Sequence, residues 1–201
     1  MRKHHLLLPC ILILSALSFA ACGGGSGGDE GEIEDAIETS ATSTDPADCK
    51  KLNTQEFMEQ TTQESGEAAV EDCEEQAKEE EGAESAKVSA VEVDGSDATA
   101  EVALSGGHLD GQTLEVALVK DGDQWKLDEV VEFTEFDRAK LVEVLEEGLA
   151  EPSSEVNRKF GNCVIEAFKQ DSQGEVEELV FGDSPQALED LFETCSSRPA
   201  T

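Results

Sequence analysis

The sequence predicts an α+β chain, with N-terminal helices packed on a four-stranded antiparallel sheet and a small helical unit after it. Three observations carry this prediction. Apolar residues recur at helical spacing up to about residue 82, alternate with polar ones from Lys87 to Phe133, and return to helical spacing after Phe136. Short Asp/Gly turns divide the alternating stretch, so successive strands run antiparallel. Cys49 and Cys73 fall in the first helical part, Cys163 and Cys195 in the last.

Element by element, Ile33 and Ile37 lie four apart in Glu30 to Thr39 and mark a first helix that fades into Ser40 to Pro46. Asn53, with Glu56 three residues on and Leu52 placed against Phe57, reads as a capping box with its hydrophobic staple, starting a helix from Thr54 to Thr62. After Ser65-Gly66 a further helix carries Ala69, Val70 and Cys73, and ends at Glu79-Glu80-Glu81-Gly82. Four alternating runs follow. They are Val91 and Val93; Ala98, Ala100, Val102 and Leu104; Leu114, Val116 and Leu118; and Trp125, Leu127, Val131 and Phe133. Asp94-Gly95-Ser96-Asp97, Ser105 to Gly111 and Asp121-Gly122-Asp123 are the turns between them. In the last third, Leu141, Val142, Leu145 and Leu149 stripe a helix that stops before Pro152. Val156, Phe160, Cys163, Val164, Ala167 and Phe168 stripe the next. Ser172 with Glu175 caps a short helix holding Val176, Leu179 and Val180, and Pro185 opens the last, with Leu188, Leu191, Phe192 and Cys195 on one face.

The first residues read as an address. Met1 to His5 is a basic start, Leu6 to Leu17 an apolar run too short to span a bilayer comfortably, and Phe19-Ala20-Ala21-Cys22 leads into Gly23 to Gly28. This pattern resembles the lipobox of bacterial lipoproteins, which implies cleavage before Cys22, diacylation of its thiol and a location on the extracytoplasmic face of the cell membrane. An uncleaved anchor with an incidental Cys22 is the alternative. On the first reading residues 1–21 are the signal peptide and 22–29 a flexible glycine-rich tether. Formal charge is −33, and loss of Arg2 and Lys3 with the leader takes it to −35. So acidic a surface repels nucleic acid, and no nucleic-acid partner is expected.

Of six cysteines, Cys10 belongs to the leader and Cys22 to the lipid, leaving an even four in an exported chain. They show no Cys-x-x-Cys spacing, and the only histidine past the leader is His108, so disulfides are expected rather than a metal site. Four cysteines allow three connectivities; proximity favours Cys49 with Cys73 and Cys163 with Cys195.

The block Val91-Glu92-Val93-Asp94-Gly95-Ser96-Asp97-Ala98-Thr99-Ala100, leading to Leu118-Val119-Lys120-Asp121-Gly122-Asp123-Gln124-Trp125-Lys126-Leu127-Asp128, resembles the nuclear transport factor 2-like (cystatin-like) superfamily. More narrowly it is similar to actinobacterial extracytoplasmic lipoproteins with such a domain. The resemblance covers roughly Glu30 to Phe133; residues 30–135 are assigned to that domain and 136–201 to a C-terminal helical unit. It implies a curved sheet folded around helices to leave a conical pocket. Some members, such as ketosteroid isomerase and scytalone dehydratase, run proton transfer there, while others only bind or dimerise through the open sheet face.

Isomerase chemistry of that kind needs a base and neutral donors around an oxyanion, often Tyr with a protonated acid. The chain has no tyrosine. His108 sits in a glycine-rich turn, as an exposed residue would. Asp128 and Glu129 are better placed, yet adjacent strand residues point to opposite faces, so at most one enters a cone. Trp125 could line it, though alternation with Leu127 makes it first a core residue. Trp125, Leu127, Asp128 and Glu129 are therefore the candidate pocket residues, with no catalytic set, no metal and no cofactor expected. The leading reading is a lipid-anchored, non-catalytic module for a small apolar ligand or a protein partner. The alternatives are a cofactor-independent isomerase or dehydratase using an acid in the cone, and a purely structural envelope protein.

Overall fold

A computed structural model describes residues 26–79, 82–148, 155–182 and 186–197. The leader with Cys10, Cys22 and the following glycines to Gly25, together with Glu80, Glu81, Leu149, Pro152 and Pro185, lie outside the described residues, as does the side chain of Val156.

The first helix, α1, spans Ser26–Thr42 and so takes in the last residues assigned to the tether. Its only apolar stripe is Ile33, Ala36 and Ile37, all buried, and this face packs against the sheet. A short helix not anticipated from the sequence, α2 (Ala47–Leu52), follows. Asp45 starts it by accepting the Ala47 N–H at 3.0 Å, while Pro46 holds φ at −55°. The next cap corrects the sequence reading by one residue. In α3 (Gln55–Thr62) the cap is Thr54, whose Oγ1 accepts the Phe57 N–H at 3.2 Å. Asn53 is spent elsewhere: its backbone pairs with Leu127 and its Oδ1 accepts the Ser40 hydroxyl at 2.7 Å. Thr54→Ala is expected to cost about 1 kcal/mol, as lost caps do. A urea denaturation midpoint equal to wild type would refute that assignment. Helix α4 (Glu67–Glu79) lies against α3, and Cys49–Cys73 ties α2 to α4. Met58, Ala69 and Val70 pack with Cys49 in a small cluster of their own.

The sheet is the expected four-stranded meander, β1 (Ser85–Asp94), β2 (Asp97–Ser105), β3 (Thr113–Asp121) and β4 (Gln124–Glu135), antiparallel throughout in the order β1-β2-β3-β4. Gly95 (φ 70°) and Gly122 (φ 67°) each supply the left-handed residue that a two-residue hairpin turn demands. The sheet is open and curved, and bulges accompany the curvature. Pairing shifts once in β1 between Ser89 and Glu92, where Ala90 has φ 51°, and three times along β4. In β4 each shift inserts one residue, so the inward positions are Trp125, Leu127, Val130 and Phe133, spaced two, three and three apart. Strict alternation assigns Val131 inward; it is instead 42% exposed and Val130 takes its place.

Helices α5 (Arg138–Gly148), α6 (Glu155–Gln170), α7 (Gln173–Phe181) and α8 (Gln186–Ser197) complete the chain. Ser172 and Glu175 form the expected capping box of α7. Cys163–Cys195 joins α6 to α8, the second of the two local disulfides that proximity favoured. Leu141, Val142, Val164, Ile165, Phe168, Val176, Leu179, Phe181 and Cys195 belong to the same buried cluster as the sheet and α1.

Candidate functional site

The concave face of the sheet is where a cone would open, and its inward side chains are buried. Trp125 is 1% exposed, and Ala100, Val116, Leu118 and Phe133 are nearly as inaccessible. At one end α1 closes the sheet: the Asp29 carboxylate accepts from the Trp125 indole N–H at 3.3 Å and from the Lys120 ammonium, which also stands 5.2 Å above the indole ring. Farther along β4, Phe133 stacks tilted against Phe136 and Phe181 with centroids 5.0 and 4.9 Å away, so residues after the sheet fill the space in front of it. Among the described residues the buried polar side chains are Asn53 and Gln112, and both are satisfied. Gln112 uses its whole amide, donating to the Asp137 carbonyl and accepting the Asp137 N–H, each at 2.9 Å.

The structure separates the four candidate pocket residues. Trp125 and Leu127 lie on the covered face. Asp128 is the residue inserted at the first β4 bulge and is half-buried. Glu129 is exposed, pairs with Ala117, and lines a surface groove with Glu56, Glu59, Gln60, Gln63 and Gly182. No two of them converge on a reaction centre. His108 is exposed in the β2–β3 loop.

The free edge of β4 is sealed by one backbone N–H and by side chains in place of a fifth strand. Thr54 N–H donates to the Leu127 carbonyl at 2.8 Å. The Gln60 amide donates to the Val130 carbonyl at 2.9 Å and accepts the Val130 N–H at 2.7 Å. Gln173 and Glu177 treat Phe133 likewise, at 2.8 and 2.9 Å. Edge amides thereby gain partners that water or another chain would otherwise provide.

On the opposite face of the sheet, Glu101, Glu115 and Glu132 stand in one cross-strand row. Like charges directly opposed cost stability. Glu115→Gln is therefore expected to raise stability by about 0.2–1 kcal/mol at low ionic strength, with the gain shrinking in 1 M salt as screening shortens to about 3 Å. A chemical denaturation midpoint that falls, or a gain indifferent to salt, would refute the repulsion.

Several carboxylates are held below their ordinary range: Asp29 chiefly by the Lys120 hydrogen bond, Asp110 by the Gly106 N–H, Asp121 by Lys126, Glu59 by the Gly66 N–H and Glu175 by Ser172. Among the described carboxylates Asp171 alone is raised, by burial and then by Glu175. A depressed acid contributes stability above its unfolded value, and that contribution is lost as pH falls through the folded value. Acidification from neutrality first relieves the self-repulsion of the −33 charge, and only below about pH 4 do the depressed acids protonate. Denaturation midpoints are expected to peak between about pH 4 and 6; a monotonic rise down to pH 3 would contradict these pairings.

No protein-family model matches the chain, nor does any curated protein or solved structure. Among the described residues no helix is long and apolar enough to cross a membrane, and no group of three or more His, Cys, Asp or Glu is arranged to hold a metal ion.

Proposed function

We propose that the protein is an extracytoplasmic lipoprotein, anchored through Cys22, whose nuclear transport factor 2-like domain is non-catalytic and meets a protein partner through its exterior. The single observation that supports a surface role over a pocket role is the filled concave face, with Trp125 1% exposed and Phe133 covered by Phe136 and Phe181. A small apolar ligand would have to displace that packing. An isomerase-type site would need a buried acid with a second polar group beside it, whereas Glu129 is exposed and Asp128 sits at a bulge. The same filled interior also favours the structural envelope reading, which differs only in having no soluble partner.

Native mass spectrometry of the purified chain, with extraction of bound lipid, tests the surface reading. The mass of the polypeptide with its Cys22 lipid and nothing more is the expected result, and a stoichiometric copurifying apolar ligand would overturn it. Anchoring is tested separately by palmitate labelling. Cys22→Ala and globomycin treatment should each leave an unprocessed, unlabelled precursor; a labelled Cys22→Ala product would overturn the anchor.

A further inference from the structure

We infer that the lipid-anchored protein stands on the bilayer with the end of the sheet that carries the β1–β2 and β3–β4 turns, and presents the β2–β3 loop away from it; this rests on the anchoring at Cys22 proposed above. Helix α1 begins at Ser26, four residues after Cys22, a stretch that reaches at most about 14 Å when fully extended. The first turn of that helix is bonded to one end of the sheet. Asp29 accepts from Lys120 and from Trp125, the Lys120 N–H donates to the Ser96 carbonyl at 2.8 Å, and Asp121 pairs with Gln124 across the adjoining turn.

The last turn of α1 is bonded to the opposite end. Ala83 N–H donates to the Ala41 carbonyl at 2.9 Å, and Glu84 N–H to the Ser105 carbonyl at 2.8 Å, where the β2–β3 loop begins. Seventeen helical residues separate the two ends by about 25 Å. Helix α1 is thus a strut whose near end is held close to the anchored residue while its far end is carried outward. The near end also exposes Asp94, Asp97, Asp121 and Asp123. Because the anchor sets this end against the phospholipid headgroups, these carboxylates make the charge of that layer matter: a zwitterionic layer accepts the turns, and an anionic one repels them within a Debye length of about 10 Å at 0.1 M salt.

The test uses the full lipidated chain in phosphatidylcholine vesicles that carry an acceptor dye on the headgroups, with a donor dye on Ser96→Cys or on His108→Cys. Energy transfer is expected to be about twofold higher from position 96, given ends about 25 Å apart along the helix. Equal or reversed transfer from a vesicle-bound protein overturns the orientation and leaves the anchoring intact. Substituting phosphatidylglycerol for part of the lipid should lower transfer from position 96 at low salt, and 1 M NaCl should restore it. Transfer indifferent to headgroup charge overturns the contact. A chain that fails to float with vesicles, and behaves as Cys22→Ala does, defeats the anchoring itself and the orientation with it.

Discussion

Trp125→Ala is expected to cost about 3–5 kcal/mol, the range for deleting a fully buried large aromatic. The indole is 1% exposed, lies in the main core with Ile33 and Ile37 of α1, and holds that helix through Asp29. Truncation removes packing from two layers at once and leaves the Asp29 carboxylate with Lys120 alone. For a domain of this size the loss corresponds to a melting temperature lower by about 6–20 °C. Since Trp125 is the only tryptophan, unfolding is followed by circular dichroism. Trp125→Phe keeps most of the volume and forfeits the Asp29 bond, so it should fall well short of the alanine effect. A Trp125→Ala protein melting within 2 °C of wild type, below the shift of about 2–4 °C that a single kcal/mol brings, would mean that this end of the concave face is not a packed core.

Opening the C-terminal staple is the second large effect. Cys163 and Cys195 are separated by 32 residues, and cross-linking a loop of that length stabilises by about 3–4 kcal/mol in the chain-entropy model. Cys163→Ser with Cys195→Ser is expected to lose that much. Hydrogen exchange should rise first in α8, whose buried contribution among the described residues is Cys195 itself. The bridge at the other end gives the contrast. Cys49→Ser with Cys73→Ser should loosen α2 and α4, which share the small cluster with Met58, and leave α8 protected. Uniform exchange across both variants would show that the staples act globally and not on their own helices.

The meander was legible because its turns are local: Gly95-Ser96 and Gly122-Asp123, each two residues long and each preceded by an Asp, announce hairpins whatever packs on them. Both disulfides were legible for the same reason, since each joins helices close in sequence. What local reading missed is what depends on distant partners. Alternation puts Val131 inward because it assumes an unbroken period of two, and three inserted residues in β4 break it. Asn53 and Thr54 are both good capping residues, so the choice between them fell to the bridge from Asn53 to Leu127, more than seventy residues away. Gln112 did leave a trace. It falls in phase with Leu114, Val116 and Leu118, so a glutamine on the inward side was visible, but its Asp137 partner was not. The candidate site was the least legible part, because whether a concave sheet holds a pocket depends on Phe136, Phe181 and α1, which the strand sequences do not encode.

The sealing of β4 bears on how many copies of this chain could ever join through their sheets. Growth by edge pairing needs two open sides per subunit to run on as a fibre. Here Gln60, Gln173 and Glu177 occupy one side, and only β1 has no strand or side-chain cover of that kind among the described residues. Even β1 is interrupted, with Lys87 along it and a left-handed Ala90 at its bulge. Two protomers meeting β1 to β1 would exhaust the open edges among the described residues, and edge-to-edge association would then end at a closed pair of eight strands.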